Sequence, residues 1–262
     1  MKLSEFLDHM RGLLKGSTFE GKCYIVGGVP RDHLLGRQDF NDFDLVVESP
    51  YGGLKLGAFL SHRIKPESYQ TFPKFGTARM EIWDIKLDFV ETRKEVYHRG
   101  RRYPRISFGS IQDDVYRRDF SINALYLEIF KEELLDPCGK GKEELQQRVI
   151  NTIREPEIVF KEDVLRILRA LRFSAVLGFE IDARCKDAIR ESLPGIKRLS
   201  AGSLKKELDK IPDAKTWARA QALGFCPRCI SLKINIGFGI NPLIAVTATV
   251  QIVTDEFVVR SS

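Results

Sequence analysis

The chain has little of what marks a secreted or membrane-bound protein. Its five cysteines, Cys23, Cys138, Cys185, Cys226 and Cys229, are odd in number and scattered, which argues against a disulfide framework and for reduced thiols in the cytosol. Cys226-Pro227-Arg228-Cys229 is a C-x-x-C without a second pair, at most half of a zinc site. The N-terminal MKLSEFLDHMRGLLK lacks the unbroken apolar core of a signal peptide because Glu5 and Asp8 interrupt it. Leu3, Phe6, Leu7, Met10, Leu13 and Leu14 recur there at helical spacing and predict an amphipathic opening helix. Residues 234–254 lack charge altogether, but Asn235, Asn241, Pro242, Gln251 and two glycines argue against a membrane span. Strands, a surface covered by a partner, or a weakly specified tail are the readings left for that run. A cytoplasmic protein with no membrane partner is expected.

What is present is ordinary in amount and informative in place. At 262 residues the chain can bury a core and has room for one or two domains. A formal charge of +6 and a pI near 9.0 allow nucleic acid as a partner without requiring it. The stretch Tyr24–Glu48 reads as a strand, a Gly27-Gly28 turn, a short helix through Arg31 to Leu35, and a second strand that begins Asp42-Phe43-Asp44. Residues two apart on a strand share a face, so Asp42 and Asp44 project together. Two carboxylates held that close are tolerated when a hard divalent cation sits between them. A glycine pair lets backbone approach a phosphate, and Arg31 follows one short segment later. Each part alone has a plainer reading, as turn chemistry or a solvated strand edge.

Together, strand, Gly-Gly, Arg31-Asp32, Leu34-Leu35-Gly36 and D-x-D resemble the signature of the class II tRNA nucleotidyltransferase and bacterial poly(A) polymerase family, among the polymerase-β-like nucleotidyltransferases. Downstream, Ala78–Trp83 and Ile85–Glu91 read as paired strands with a turn near Asp84, and IKLDFVE puts Asp88 mid-strand. Asp88 is either a third catalytic acid beside Asp42 and Asp44 or an edge-strand residue facing water, and the resemblance favours the first. Glu91–Ser110 is rich in arginine and broken by Gly100 and Pro104. It predicts a basic loop, a solvated charge run or one that closes over polyphosphate or RNA with Tyr97 and Tyr103 as stacking surfaces.

Arg117-Arg118-Asp119-Phe120-Ser121-Ile122-Asn123-Ala124 matches the family's second motif, which implies that Arg117 and Arg118 hold phosphates, with Gly28 and Arg31, and that Asp119 contacts the ribose or positions an arginine. Asp136-Pro137-Cys138-Gly139, followed by Glu144-Leu145, resembles the pattern that closes the catalytic head. Residues from about Pro156 to Leu177 predict one helix, with Val164, Ile167, Leu168, Leu171 and Ala175 in a single arc and Glu162, Arg166 and Arg169 opposite. Glu162-Asp163-x-x-Arg166, with Arg169 and Arg172, resembles the family's base-recognition motif. There a carboxylate takes the exocyclic amine shared by C and A, and guanidinium donates to ring or carbonyl acceptors. Further helices are read at Lys186–Leu193 and Ser203–Ile211. In LSAGSLKKELDKI the Glu-Arg pair usual in the next family motif is absent.

The resemblance covers about residues 20–215. It implies an α/β (α+β) polymerase-β-like head with a mixed, mainly antiparallel sheet over residues 1–150, an all-α neck over 151–230, and an atypical tail over 231–262. It also implies two magnesium ions held by Asp42 and Asp44, and ATP and/or CTP with the 3′ end of an RNA, tRNA first, as partners. The implied reaction is template-independent addition of CMP and/or AMP, with release of pyrophosphate. Poly(A)-type adenylation and a non-catalytic RNA- and nucleotide-binding protein are the alternatives.

Overall fold

The computed structural model describes residues 1–96, 105–213, Thr216, Ala218 and Ala220. The charge-free run, the C-x-x-C and the middle of the basic segment, with Tyr97, Tyr103, Arg99, Arg101 and Arg102, lie outside the described residues. The opening periodicity forms helix α1 (Leu3–Leu14), which buries Leu3, Phe6, Leu7, Met10 and Leu14. Strand β1 (Cys23–Val26), helix α2 (Gly28–Leu34) and strand β2 (Asp42–Val47) follow in the order expected. Next come α3 (Gly52–Ser61), β3 (Ser68–Phe72), β4 (Thr77–Ile82) and β5 (Ile85–Glu91). The turn between β4 and β5 places Trp83 and Asp84 at φ 55° and 58°, as a two-residue hairpin loop with right-handed strand twist requires.

Glu91–Ser110, read above as a loop, is a hairpin at its two ends. Strands β6 (Arg93–Val96) and β7 (Arg105–Phe108) pair antiparallel, Arg93 opposite Phe108 and Val96 opposite Arg105. The arginines, Gly100 and Pro104 dominate that sequence and hide the strand-forming Val96, Ile106 and Phe108. Helix α4 (Ile111–Val115), β8 (Tyr126–Glu128), β9 (Leu134–Leu135), α5 (Gly141–Gln147) and β10 (Val149–Ile150) complete this half.

Seven strands form one sheet in the order β3-β4-β5-β2-β1-β8-β9. β2 and β5 run parallel and the other neighbouring pairs antiparallel. The sheet is therefore mixed and mainly antiparallel. Strict alternation divides its faces. Phe43, Leu45 and Val47 of β2, with Leu87 and Phe89 of β5, join the core formed with α1 and α3. Phe6 of α1 stacks on Phe43 at 3.9 Å between ring centroids. The intervening residues, Asp42, Asp44 and Asp88, consequently emerge on the opposite face.

The α-helical half departs from the expected single helix over 156–177. Helix α6 (Pro156–Glu162) stops, Asp163 is extended with φ −144° and ψ 101°, and helix α7 (Leu165–Leu177) begins anew. Asp163 Oδ1 accepts a hydrogen bond from the backbone N–H of Leu165 at 2.9 Å. A short acidic side chain that satisfies a nearby backbone donor competes with helix continuation, and periodicity alone does not register this. Nor are the charges of α7 simply solvated, since Arg166 and Arg172 are buried. Strand β11 (Glu180–Ile181), helix α8 (Ala183–Ser192) and helix α9 (Ala201–Leu208) follow. A second core cluster, separate from the one beneath α1 and α3, joins the two halves, for Phe120, Ile122, Leu125 and Ile150 pack with Ile167, Leu171, Phe173 and Ile189.

Helix α3 lies so close to the sheet that a Cβ on Gly53 would stand 2.7 Å from the Phe89 carbonyl and 2.8 Å from Val90 Cα. Backbone cannot swing aside as a side chain can, so Gly53→Ala is expected to destabilise by about 1–3 kcal/mol. Gly12, exposed within α1 with nothing within 4 Å of an added Cβ, provides the opposite case. Gly12→Ala should stabilise by roughly 0.5–1 kcal/mol. Urea midpoints of the two variants, moving in opposite directions from that of the parent, check the pair.

Candidate active site

β1 and β2 pair so that Val26 faces Asp44, and the chain turns immediately afterwards at Gly27. Gly27 has φ 77°, and a Cβ there would stand 2.9 Å from Asp44 Oδ2. Both the backbone angle and the approach of the carboxylate demand glycine. Beyond the turn opens a cavity of about 450 Å³, lined from one side by Gly27, Gly28, Arg31 and Asp44. Arg117, Arg118, Asp119 and Asn123 form a second wall; Asp163, Arg166, Arg169 and Phe173 form the third. Of the residues singled out in the sequence, the structure thus gathers Gly28, Arg31, Asp44, Arg117, Arg118, Asp119, Asp163, Arg166 and Arg169 around one space. Asp42 sits just outside, in a smaller adjoining recess that it shares with Gly28, Asp32 and Asp44. Asp88 and Arg172 line neither space.

The three candidate acids stand side by side nonetheless. Asp88 pairs in register with Asp44 across the parallel strands. Protein crowds Asp44 closely although its carboxylate opens to the cavity; this desolvation, followed by the charge of Asp42, pushes its pKa up to about 6. Asp42 is also raised, by desolvation and then by Asp88. Asp88 differs from the others: Arg79 donates through Nε and Nη2 to both of its oxygens, at 2.7 Å each. Among the described residues, no group of three His, Cys, Asp or Glu side chains converges as a closed metal cage. An open pair of ionised carboxylates that repel one another fits magnesium, which keeps several waters and takes one or two carboxylates plus substrate phosphates.

The arginines are held from behind. Asp114, fully buried, accepts from Arg117 Nε at 2.7 Å, from Arg118 Nη2 at 2.9 Å and from the Tyr126 hydroxyl at 2.7 Å. Burial would raise its pKa, but Arg118, Arg117 and Tyr126 outweigh that and hold it at about 2. Asp119 accepts from Arg169 Nε and from its neighbour's backbone N–H at 2.9 Å. Burial again works against the charge, and Arg169 overcomes it, leaving Asp119 below the usual carboxylate range. Arg166 donates to Glu162 at 3.3 Å and to the Arg117 carbonyl at 3.0 Å. Arg172 lies one layer back on Glu207 of α9, at 2.8 Å.

Sequence reasoning gave no role to Asp114, Asn123, Phe173, Arg79 or Glu207. Asn123 accepts from Arg31 Nη1 at 2.6 Å. The Phe173 ring faces Arg172 at 4.2 Å and Arg31 at 5.2 Å, close enough for cation–π attraction. Asn123 and Asp114 fall within or beside a motif already picked out, so a signal was there. Glu207 lies in LSAGSLKKELDKI, the segment in which the expected Glu-Arg pair is absent.

The site thus sets acids on a sheet beside a glycine turn, facing a wall of arginines. Residues 23–151 match the Poly A polymerase head domain. An A-adding tRNA nucleotidyltransferase from Aquifex aeolicus (strain VF5) is 37% identical over 175 residues, covering 66% of this chain and 20% of that protein. A CCA-adding enzyme from Geobacillus sp. (strain WCH70) is 31% identical over 211 residues, 77% of this chain and 48% of that protein. A crystal structure of a tRNA nucleotidyltransferase complexed with a primer tRNA and an incoming ATP analog superposes with a TM-score of 0.67 at 31% identity, covering 85% of this chain and 61% of that one. Residues 23–151 belong to the Poly A polymerase head domain family, and the chain spans from a fifth to about half of the two curated relatives.

Asp114 supplies a test of how the arginine wall is held. Its folded pKa of about 2 lies below the unfolded value of about 3.9. Its contribution to stability is therefore complete above pH ~4 and is lost as the pH falls toward ~2. Asp114→Ala leaves two buried guanidiniums without their partner and should cost about 3–5 kcal/mol. Thermal melts between pH 7 and pH 2 should show the parent losing this advantage over the variant in the acid range.

Proposed function

We propose that this chain is a template-independent RNA nucleotidyltransferase that transfers CMP and/or AMP from the triphosphate to the 3′ end of an RNA, tRNA in the first place, and releases pyrophosphate. The observation that carries the reading is the single cavity between Asp44 and the arginines, of a size that suits a small-molecule ligand. The named activities of the relatives, A-adding and CCA-adding, point to the same chemistry. Residues 1–150 serve as catalytic head and 151–230 as neck, in the cytoplasm. Among the described residues no helix is long and apolar enough to cross a membrane.

In this reading Asp42 and Asp44 hold two magnesium ions, with Asp88 as a third acid. Bound there, the ions supply the positive charge that acidifies the attacking 3′ hydroxyl and neutralises the α-phosphate and leaving pyrophosphate. The chain's own residues do the rest. Gly28 leaves backbone open beside the phosphates, and Arg31, Arg117 and Arg118 offer planar, permanently charged donors to their oxygens. Asp119 holds Arg169 in place at the ribose side. Asp163 and Arg166 present acceptor and donor to the base edge, which admits the exocyclic amine of C or A. A base that lacks that amine leaves the free oxygen of Asp163 without a donor once the base covers it. The break at Asp163 matters here, because it is the extended residue between two helices that puts this carboxylate at the cavity wall.

Purified protein incubated with magnesium, tRNA lacking its 3′ end and each labelled triphosphate separately should incorporate label from CTP, ATP or both, and not from GTP or UTP. Asp42→Ala and Asp44→Ala should each lower incorporation by at least about 10²- to 10³-fold, with RNA binding kept. Near-normal incorporation by either variant would overturn the assignment of the acids. Label from ATP alone, in long tracts, would establish the poly(A)-type reaction instead.

A further inference from the structure

Asp42, Asp44 and Asp88 share one face of the sheet, and among the described residues only Asp88 has a side-chain partner built against it. The β4–β5 register sets Arg79 directly opposite Asp88, and the β2–β5 register sets Asp88 opposite Asp44. Arg79, Asp88 and Asp44 therefore form one cross-strand row on the face that carries the acids. Arg79 meets Asp88 with its full fork, Nε to Oδ1 and Nη2 to Oδ2. A bidentate pair of this kind occupies one in-plane lone pair on each oxygen, and its positive charge opposes the approach of a cation to those that remain. The Arg79 side chain is 50% exposed and Asp88 28%. The guanidinium can therefore turn into water without being left buried and unpaired, and releasing it costs little.

We propose that Arg79 is a resident counter-cation that competes with divalent metal for Asp88, and so sets the affinity of the carboxylate site for metal. The inference rests on the reading of Asp42 and Asp44 as metal ligands. With Arg79 in place, the repulsion among the three acids on this face is relieved by a cation paired directly to one of them, and Asp88 reaches metal only when Arg79 lets go. Arg79 is thus a positioning residue for the third acid, and its effect runs through Asp88 rather than through contact with substrate.

The test is a double-mutant cycle read by direct metal binding. The full chain and its Arg79→Met, Asp88→Asn and doubly substituted forms are titrated with Mn²⁺, free ion being followed by electron paramagnetic resonance. Asp42→Asn/Asp44→Asn serves as the reference without a site. Arg79→Met is expected to bind Mn²⁺ roughly threefold to tenfold more tightly than the parent, the loss of one half-exposed bidentate pair. That gain should vanish in the Asp88→Asn background. Should Arg79→Met fold poorly by circular dichroism, Arg79→Lys, which keeps the charge and loses the fork, is expected to show a smaller gain with the same dependence on Asp88. An unchanged or weaker affinity overturns the proposal, as does an equal gain with Asp88 replaced, which would mean that Arg79 acts through its field alone. A parent that binds no more Mn²⁺ than the Asp42→Asn/Asp44→Asn form overturns the metal reading itself and this inference with it.

Discussion

Every arginine that faces the cavity or backs it has a carboxylate behind it. Arg31 is bound by Asp32, Arg117 and Arg118 by Asp114, Arg166 by Glu162, Arg169 by Asp119, and Arg172 by Glu207. Guanidiniums crowded into one space repel one another and lose hydration, and each would be free to choose among many rotamers. A carboxylate on the protein side offsets the repulsion and uses some of the five donors. Arg31, Arg117, Arg118, Arg166 and Arg169 are held in this way while they line the cavity. The site is therefore preorganised for anions before any anion arrives, at the cost of burying several ion pairs that contribute modestly to stability in themselves.

The sheet supplies the other half of the constraint. Because alternation buries Phe43 and Leu45 beneath α1 and α3, Asp42 and Asp44 have no choice of face. Among the described residues no side chain pairs with Asp44 as Asp114 pairs with Arg117, and Arg118 and Arg169 act on it only through their charge. One wall is thus poised for cations and the facing walls for anions. A metal–triphosphate complex carries both kinds of charge.

This division was legible in the sequence where a short-range rule applies. The strand period sets Asp42 and Asp44 together, Gly27-Gly28 marks the turn, and adjacent arginines at 117 and 118 mark the arginine wall. What was hidden depends on contacts between distant elements. Asp113 and Asp114 are neighbours of the same type, yet Asp113 joins a capping box with Ser110 while Asp114 is wholly buried. Only the packing of β8, which brings Tyr126, distinguishes them. Glu207 acquires its role because α9 packs against α7, and Arg79 because β4 lies next to β5. The break at Asp163 was hidden for a different reason: an apolar stripe continues in phase across a two-residue interruption, so periodicity reports one helix where there are two.

The cavity draws its walls from residues as far apart in the chain as Gly27 and Phe173, and the core beneath it joins Phe120 and Ile122 to α7. The two halves of the described chain are therefore coupled thermodynamically as well as spatially. A nucleotide that touches both walls binds only the form in which both are assembled. Its binding free energy then appears as a single cooperative gain in resistance to unfolding, growing with the logarithm of ligand concentration. The two halves would melt together in its presence, whatever independence either has without it.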